Sequence, residues 1–124
     1  MKTLKELIVK HVKERGNNAD LNDIDTSEVT DMESLFTSVT FNGDISAWNV
    51  SNVTTMKMMF YRSIFNGDIS GWDVSNVTNM GSMFSHSKFD GDISDWDVSK
   101  VKHTLDFIIS NSKLEKNPPK WIKK

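Results

Sequence analysis

At 124 residues the chain is long enough for one domain that buries about two thirds of its unfolded surface without staples. It has no cysteine, which excludes disulfides and thiolate chemistry, and no apolar run near the ~18 residues of a membrane span. The net charge of −2 is unevenly spread. Residues 1–15 carry five basic and two acidic side chains, residues 16–99 three and thirteen, and residues 100–124 seven and two. The acidic body should repel nucleic acid and attract basic surfaces, while the basic tail is expected to be solvated.

In chain order, residues 3–15 are predicted to form a helix. Leu4, Leu7, Ile8 and Val12 make one apolar stripe, and Lys2, Lys5, Glu6, Lys13 and Glu14 lie opposite. Gly16 follows at the C-cap position, with Lys13 and Arg15 at the negative end of the dipole. The helix is expected to cover one end of the repeats behind it. Leu7, Ile8 and Val9 are too short an apolar run for a signal peptide.

From there the chain repeats. Phe41, Phe65 and Phe89 stand 24 residues apart, as do Ile45, Ile69 and Ile93, and Trp48, Trp72 and Trp96. A strict period in this range marks a repeat architecture in which each unit buries its apolar face on its neighbours. A degenerate copy precedes these, with Ala19 matching Gly43, Leu21 matching Ile45, Ile24 matching Trp48, and Leu35 and Phe36 matching Met59 and Phe60. The last copy reads as slipping by one residue near Lys102 and His103, which puts Leu105, Ile108 and Ile109 in the places of Met80, Met83 and Phe84. Leu114 and Trp121 then fill the phenylalanine and tryptophan places. About four units and a closing half-unit result, divided as 1–16 (helical cap), 17–112 (repeats) and 113–124 (C-terminal cap).

Within a unit, Ile69, Trp72 and Val74 suggest a short strand with inward side chains. Thr78, then Met80, Met83 and Phe84 at spacings of three and four, suggest a helix of one or two turns; Thr30 and Glu33 form a capping box at its counterpart. Asn66-Gly67 suits a tight turn with positive φ. Met32, Met56, Met59, Met80 and Met83 fall in core columns with Leu35, Leu105 and Ile108. Pro118 and Pro119 stop edge pairing near the end.

The phrase at 65–84, FNGDISGWDVSNVTNMGSMF, resembles the BspA-like repeat, also called the DUF285 family, of bacterial surface proteins and lipoproteins. The resemblance covers about residues 18–110. It implies a relation to leucine-rich repeats, with Ile69, Trp72 and Val74 in the three leucine places. Val77 sits where those repeats place an asparagine, so their asparagine ladder is not expected, and Asn52 and Asn76 stand one residue earlier as partial replacements. The expected fold is α/β: a right-handed leucine-rich-repeat-like solenoid with a parallel sheet of very short strands, short helices opposite and a capping helix in front. Family members resemble adhesins. This chain carries neither a signal peptide nor a lipobox cysteine, so a cytoplasmic location is the default expectation.

For chemistry, Asp20, Asp44, Asp68 and Asp92 form one column, and Asp25, Asn49, Asp73 and Asp97 a second. Stacked carboxylates need neutralising, and calcium takes such oxygens. The simpler reading is that each Asp accepts from turn amides just after it. No other cofactor is implied. His11, His86 and His103 make no metal set, and no nucleophile motif or phosphate loop is present, so the chain is not expected to be an enzyme. Asn52 and Asn76 head glycosylation sequons that turn duties explain better.

What remains is recognition. Segments 37–40, 61–64 and 85–88 share little between copies, and neither do Ala47, Gly71 and Asp95. The candidate partner-binding residues are therefore Tyr61, Arg62, Ile64, His86 and Lys88 on one edge, with Ala47, Gly71 and Asp95 on a second face; Tyr and Arg are residue types that dominate binding energy. A non-catalytic protein-protein interaction module, monomeric because both ends look capped, is the expected function. The alternative is an acidic inhibitor or nucleic-acid mimic that occupies a basic protein groove. A third reading is a calcium-stiffened array.

Overall fold

The computed structural model describes residues 3–122. Lys2 of the expected polar helix face, and Lys123 and Lys124 of the basic tail, lie outside the described residues. Two helices are formed, α1 (Leu4–Arg15) and α2 (Ser112–Lys116). Everything between is turn, bend and extended chain.

Helix α1 forms for local reasons. Thr3 caps it: its hydroxyl accepts from the Glu6 N–H at 3.1 Å, and the Glu6 carboxylate reaches back to the Thr3 N–H at 3.5 Å. Gly16, with φ 94°, ends it and donates its N–H to the Val12 carbonyl. Ile8 is buried, and Leu4, Leu7 and Val12 pack beside it against the core.

The repeat units pack in order, each copy of a residue on the next. Phe36, Phe60 and Phe84 stack with ring centroids 5.5 Å apart and planes within 2°. Trp48, Trp72 and Trp96 stack at 6.5 Å. Met32, Met56, Met59, Met80 and Met83 are all buried in this core.

The expected leucine-rich-repeat solenoid of sheet and helices is not what forms. Among the described residues there is no strand, only single-residue parallel bridges: Asp20 with Asp44, Asp31 with Thr55, Thr55 with Asn79, and Asn79 with His103. No helix forms at Met80, Met83 and Phe84 or at their counterparts. Each unit has two halves, and each departs from regular structure for its own reason.

In the tryptophan half, for instance 65–77, successive rings lie 6.5 Å apart, well beyond the ~4.8 Å at which paired strands bond. Between the regular units no backbone bond bridges this half, and side chains span the gap. The indole N–H of Trp48 donates to the Leu21 carbonyl at 2.9 Å, Trp72 to Ile45 and Trp96 to Ile69 at 3.0 Å, and Trp121 to Ile93 at 2.9 Å. Asn52 and Asn76 each donate Nδ2 to a serine carbonyl of the preceding unit at 2.7 Å. A further asparagine ladder, not expected from sequence, runs through the turn: the Asn66 N–H donates to Asn42 Oδ1, and the Asp90 N–H to Asn66 Oδ1. Backbone turns close Ile69 to Trp72 and Val74 to Val77, where a strand would have stayed extended.

The other half, residues 80–87 and their copies, is a run of tight turns. Ser34, Met58, Ser82 and Asp106 have φ between 53° and 57°, and Ser38, Arg62, His86 and Ser110 between 55° and 59°. These left-handed residues, four apart, break the helix. Alternate N–H groups then go two ways. Met83, Ser85 and Ser87 close local turns onto Met80, Ser82 and Phe84. Met80, Ser82, Phe84 and His86 donate instead to His103, Leu105, Phe107 and Ile109 of the next unit, at 2.8–3.0 Å. An isolated helix of one or two turns is a costly nucleus. Bonding alternate groups to a neighbour satisfies the backbone without it.

Two further expectations change. The repeat glycines do not supply positive φ; Gly16 is the one described glycine that has it. Gly43 is needed for close approach, since a Cβ there would lie 1.9 Å from the Ala19 carbonyl oxygen. The last unit also does not slip near Lys102 and His103. Its left-handed residues and inter-unit bonds keep the 24-residue count, so Thr104, Phe107 and Ile108 take the places of Met80, Met83 and Phe84. Phe107 is buried, whereas Leu105 is 79% exposed and Ile109 48%. The extra residue enters after Asn111. This buried amide stands in the place of Ser87, caps α2 by accepting from Leu114, and donates to the Phe84 and Phe89 carbonyls.

Candidate functional site

The edge that carries Tyr61, Arg62, Ile64, His86 and Lys88 is built by the second pair of left-handed residues. Arg62 and His86 occupy equivalent turn corners, closed by Ser63 onto Phe60 and by Ser87 onto Phe84. Both backbones are held from outside as well: the Arg62 N–H donates to the Ser85 carbonyl at 3.0 Å, and that of His86 to the Ile109 carbonyl at 2.9 Å. Their side chains are exposed.

Three of the five predicted residues touch. The Tyr61 and His86 rings meet edge to face at 5.7 Å, and the Arg62 guanidinium carbon lies 5.3 Å from the centre of the Tyr61 ring. Ile64, 45% exposed, and Lys88 extend the same edge as copies of one position. Lys57, Arg62 and Lys88 are the basic residues of the acidic body, so two of its three cations gather here with His86. Among the described residues neither Arg62 nor Lys88 forms an ion pair.

Ala47, Gly71 and Asp95 are exposed in the tryptophan half and form a separate group. A Cβ on Gly71 would meet nothing within 4 Å, so that position is open. No ring contact or hydrogen bond joins this group to the Tyr61 edge among the described residues.

The aspartate columns are turn devices. Asp44 Oδ1 accepts from the Ser46 N–H at 2.9 Å and its hydroxyl at 2.7 Å. Asp68 with Ser70, Asp73 with Ser75, and Asp25 with Ser27 repeat this double bond. The serine hydroxyl, then its N–H, holds each of these carboxyls below the usual carboxylate range. Repulsion from a stacked neighbour, Asp44 on Asp68 or Asp97 on Asp73, is the weakest influence. Among the described residues no group of three or more acidic or histidine side chains is placed to hold a metal ion.

Sequence reasoning missed one surface. Leu105 and Ile109 are expected in the core, yet Leu105 is exposed to solvent and Ile109 lines a groove of about 560 Å³ with Phe107, Ile108, Pro118 and Trp121. A strict count of 24 from Met80 would have found them. No described helix is long and apolar enough to cross a membrane.

No curated protein and no solved structure matches the chain. A family model described as "Mycoplasma protein of unknown function, DUF285" matches residues 3–121, which takes in α1 and the closing half-unit as well as the repeats. The chain therefore belongs to the DUF285 family.

Proposed function

We propose that the chain is a non-catalytic protein-binding module whose contact surface is the edge of Tyr61, Arg62, Ile64, His86 and Lys88. The observation that supports this is the cluster of exposed Arg62 and His86 about the half-buried ring of Tyr61. Most of the repeat phrase is consumed by packing and inter-unit bonds, whereas the Arg62 and His86 side chains reach solvent. Aromatic and guanidinium groups held in place are the usual anchors of an interface. The hydroxyls of Ser46, Ser70 and Ser75 donate to the aspartates two residues before them and serve their turns. The test is capture of partners by the wild type and by Tyr61→Ala/Arg62→Ala, with thermal melts to verify equal folding. A partner retained equally by both would remove this edge from consideration.

A second reading has its own support. Carboxyls held below their ordinary range stay ionised, so the acidic body keeps its charge at and below neutral pH. Such a body could occupy a basic protein groove as an inhibitor or nucleic-acid mimic. That reading requires an affinity that falls steeply with salt and ignores the two alanine changes.

A further inference from the structure

The turn half of the last unit is an interface with one side missing. Within the chain the same junction is made three times. Met32, Ser34, Phe36 and Ser38 donate to Thr55, Lys57, Met59 and Tyr61; Met56, Met58, Phe60 and Arg62 donate to Asn79, Gly81, Met83 and Ser85; and Met80, Ser82, Phe84 and His86 donate to His103, Leu105, Phe107 and Ile109. The next four donors in register are the N–H groups of Thr104, Asp106, Ile108 and Ser110. Among the described residues they have no acceptor.

The closing half-unit does not reach them. Trp121 covers the tryptophan column through its bond to the Ile93 carbonyl, and Leu114 is buried in the phenylalanine place. Beside the free donors lies the 560 Å³ groove floored by Phe107 and Ile108 and walled by Pro118 and Trp121, with Leu105 and Ile109 exposed. At the opposite end, α1 lies against the repeats with Ile8 buried in the core, and a groove of about 360 Å³ lined by Val12, Leu35, Val39 and Phe41 remains beneath it. The two ends therefore differ: here the expected cap closes the tryptophan and phenylalanine columns and leaves the donor row of the turn half uncovered.

We propose that this end docks a segment of a different protein, rather than a second copy of this chain, that carries the repeat's own turn phrase. Its alternate carbonyls would accept from Thr104, Asp106, Ile108 and Ser110, and its apolar residues would fill the groove as Met80, Met83 and Phe84 fill the junction before theirs. The argument is continuity: the donor row, its spacing and its left-handed corners are those of an interface already formed three times over. A helix does not fit, because its carbonyls are spent internally. A row of unpaired backbone groups beside apolar surface is what pairing with an added segment requires.

The probe is a synthetic peptide of residues 78–88, the segment that accepts from Met56, Met58, Phe60 and Arg62 within the chain. It is titrated into the isotope-labelled full chain and followed by NMR. In the free protein the amides of Thr104, Asp106, Ile108 and Ser110 should exchange fast. Peptide should shift and protect all four saturably, and Ile109→Asp, in the groove lining, should weaken binding by about tenfold. Since Ile109 is already about half exposed, the variant's melting temperature serves as the folding control. No shift at these amides at millimolar peptide overturns the proposal, as does an equal response to a scrambled peptide. Protection that appears without peptide and rises with protein concentration would also overturn it, by assigning the end to a second copy of the chain. None of these outcomes depends on Tyr61 or Arg62, so the edge proposed above stands or falls separately.

Discussion

The two halves of each repeat unit solve the same problem with different parts of the chain. In the tryptophan half, units are joined by side chains: indole to carbonyl, asparagine amide to carbonyl, and asparagine to backbone N–H. In the turn half they are joined by the main chain, four bonds per junction, and the side chains mainly fill space. Specificity written in side chains restricts which residue can stand at a position. Specificity written in the backbone restricts φ and ψ and leaves the residue type loose. The left-handed column accordingly reads Ser34, Met58, Ser82, Asp106, whereas the tryptophan column reads Ile24, Trp48, Trp72, Trp96, Trp121.

The sharpest way to break the comparison is at Trp72. Trp72→Ala removes three ring stacks, with Trp48, Phe60 and Trp96, and one buried bond, and should cost about 3–5 kcal/mol in urea unfolding. Trp72→Phe keeps an aromatic ring but removes the indole bond to the Ile45 carbonyl, which still accepts from the Trp48 N–H, and should cost about 1–2 kcal/mol. A cost near zero for phenylalanine would mean that stacking alone joins this half.

Gly43→Ala should come next, at about 1–3 kcal/mol, because the added methyl meets the Ala19 carbonyl rather than a movable side chain. Gly71→Ala, in open space, serves as its control and should be neutral or stabilising by up to about 1 kcal/mol. In the turn half, Ser82→Gly should stabilise by roughly 0.5–1 kcal/mol: a left-handed non-glycine residue costs about 1–2 kcal/mol, and glycine's greater freedom when unfolded returns part of it. A loss of stability there would show that the corner depends on the serine side chain.

The smallest effect should be that of Ser70→Ala. The Ser70 hydroxyl is the chief reason the Asp68 carboxyl lies below its ordinary 3.8. A depressed carboxyl contributes stability that is full above its unfolded value and is lost as pH falls through its folded value. The melting temperatures of wild type and variant should therefore differ at neutral pH and converge below about pH 3.8. A difference that stays constant with pH would mean that Ser70 acts through packing.

The same contrast explains what could be read in the sequence. The period, the tryptophan and phenylalanine columns and the buried methionines were legible because each rests on a side chain of distinctive size or chemistry, and Gly16 marked the end of α1. The turn half was not. Met80, Met83 and Phe84 show helical spacing, but nothing in Ser82 or His86 announces positive φ, which glycine or asparagine would have signalled. Leu105 was misplaced for a related reason: hydrophobicity drew it inward, while the backbone kept count and turned Phe107 in. At the candidate edge, the variable residues were visible from sequence, whereas the contact of Tyr61 with both Arg62 and His86 required the geometry of two successive corners.

The opposed bonding of the two halves also sets the field along the protein. In the turn half, N–H groups point toward the C-terminal end and carbonyls point back, as in the bond from Met32 to Thr55. In the tryptophan half the carbonyls of Leu21, Ile45 and Ile69 face forward, and the N–H of Asn66 donates backward to Asn42 Oδ1. Each peptide carries about 3.5 D, and in a helix these moments add. Here the two halves run antiparallel, so the moments of one oppose those of the other as units are added. What survives is a split at each end, with partial positive charge over one half of the terminal face and partial negative charge over the other.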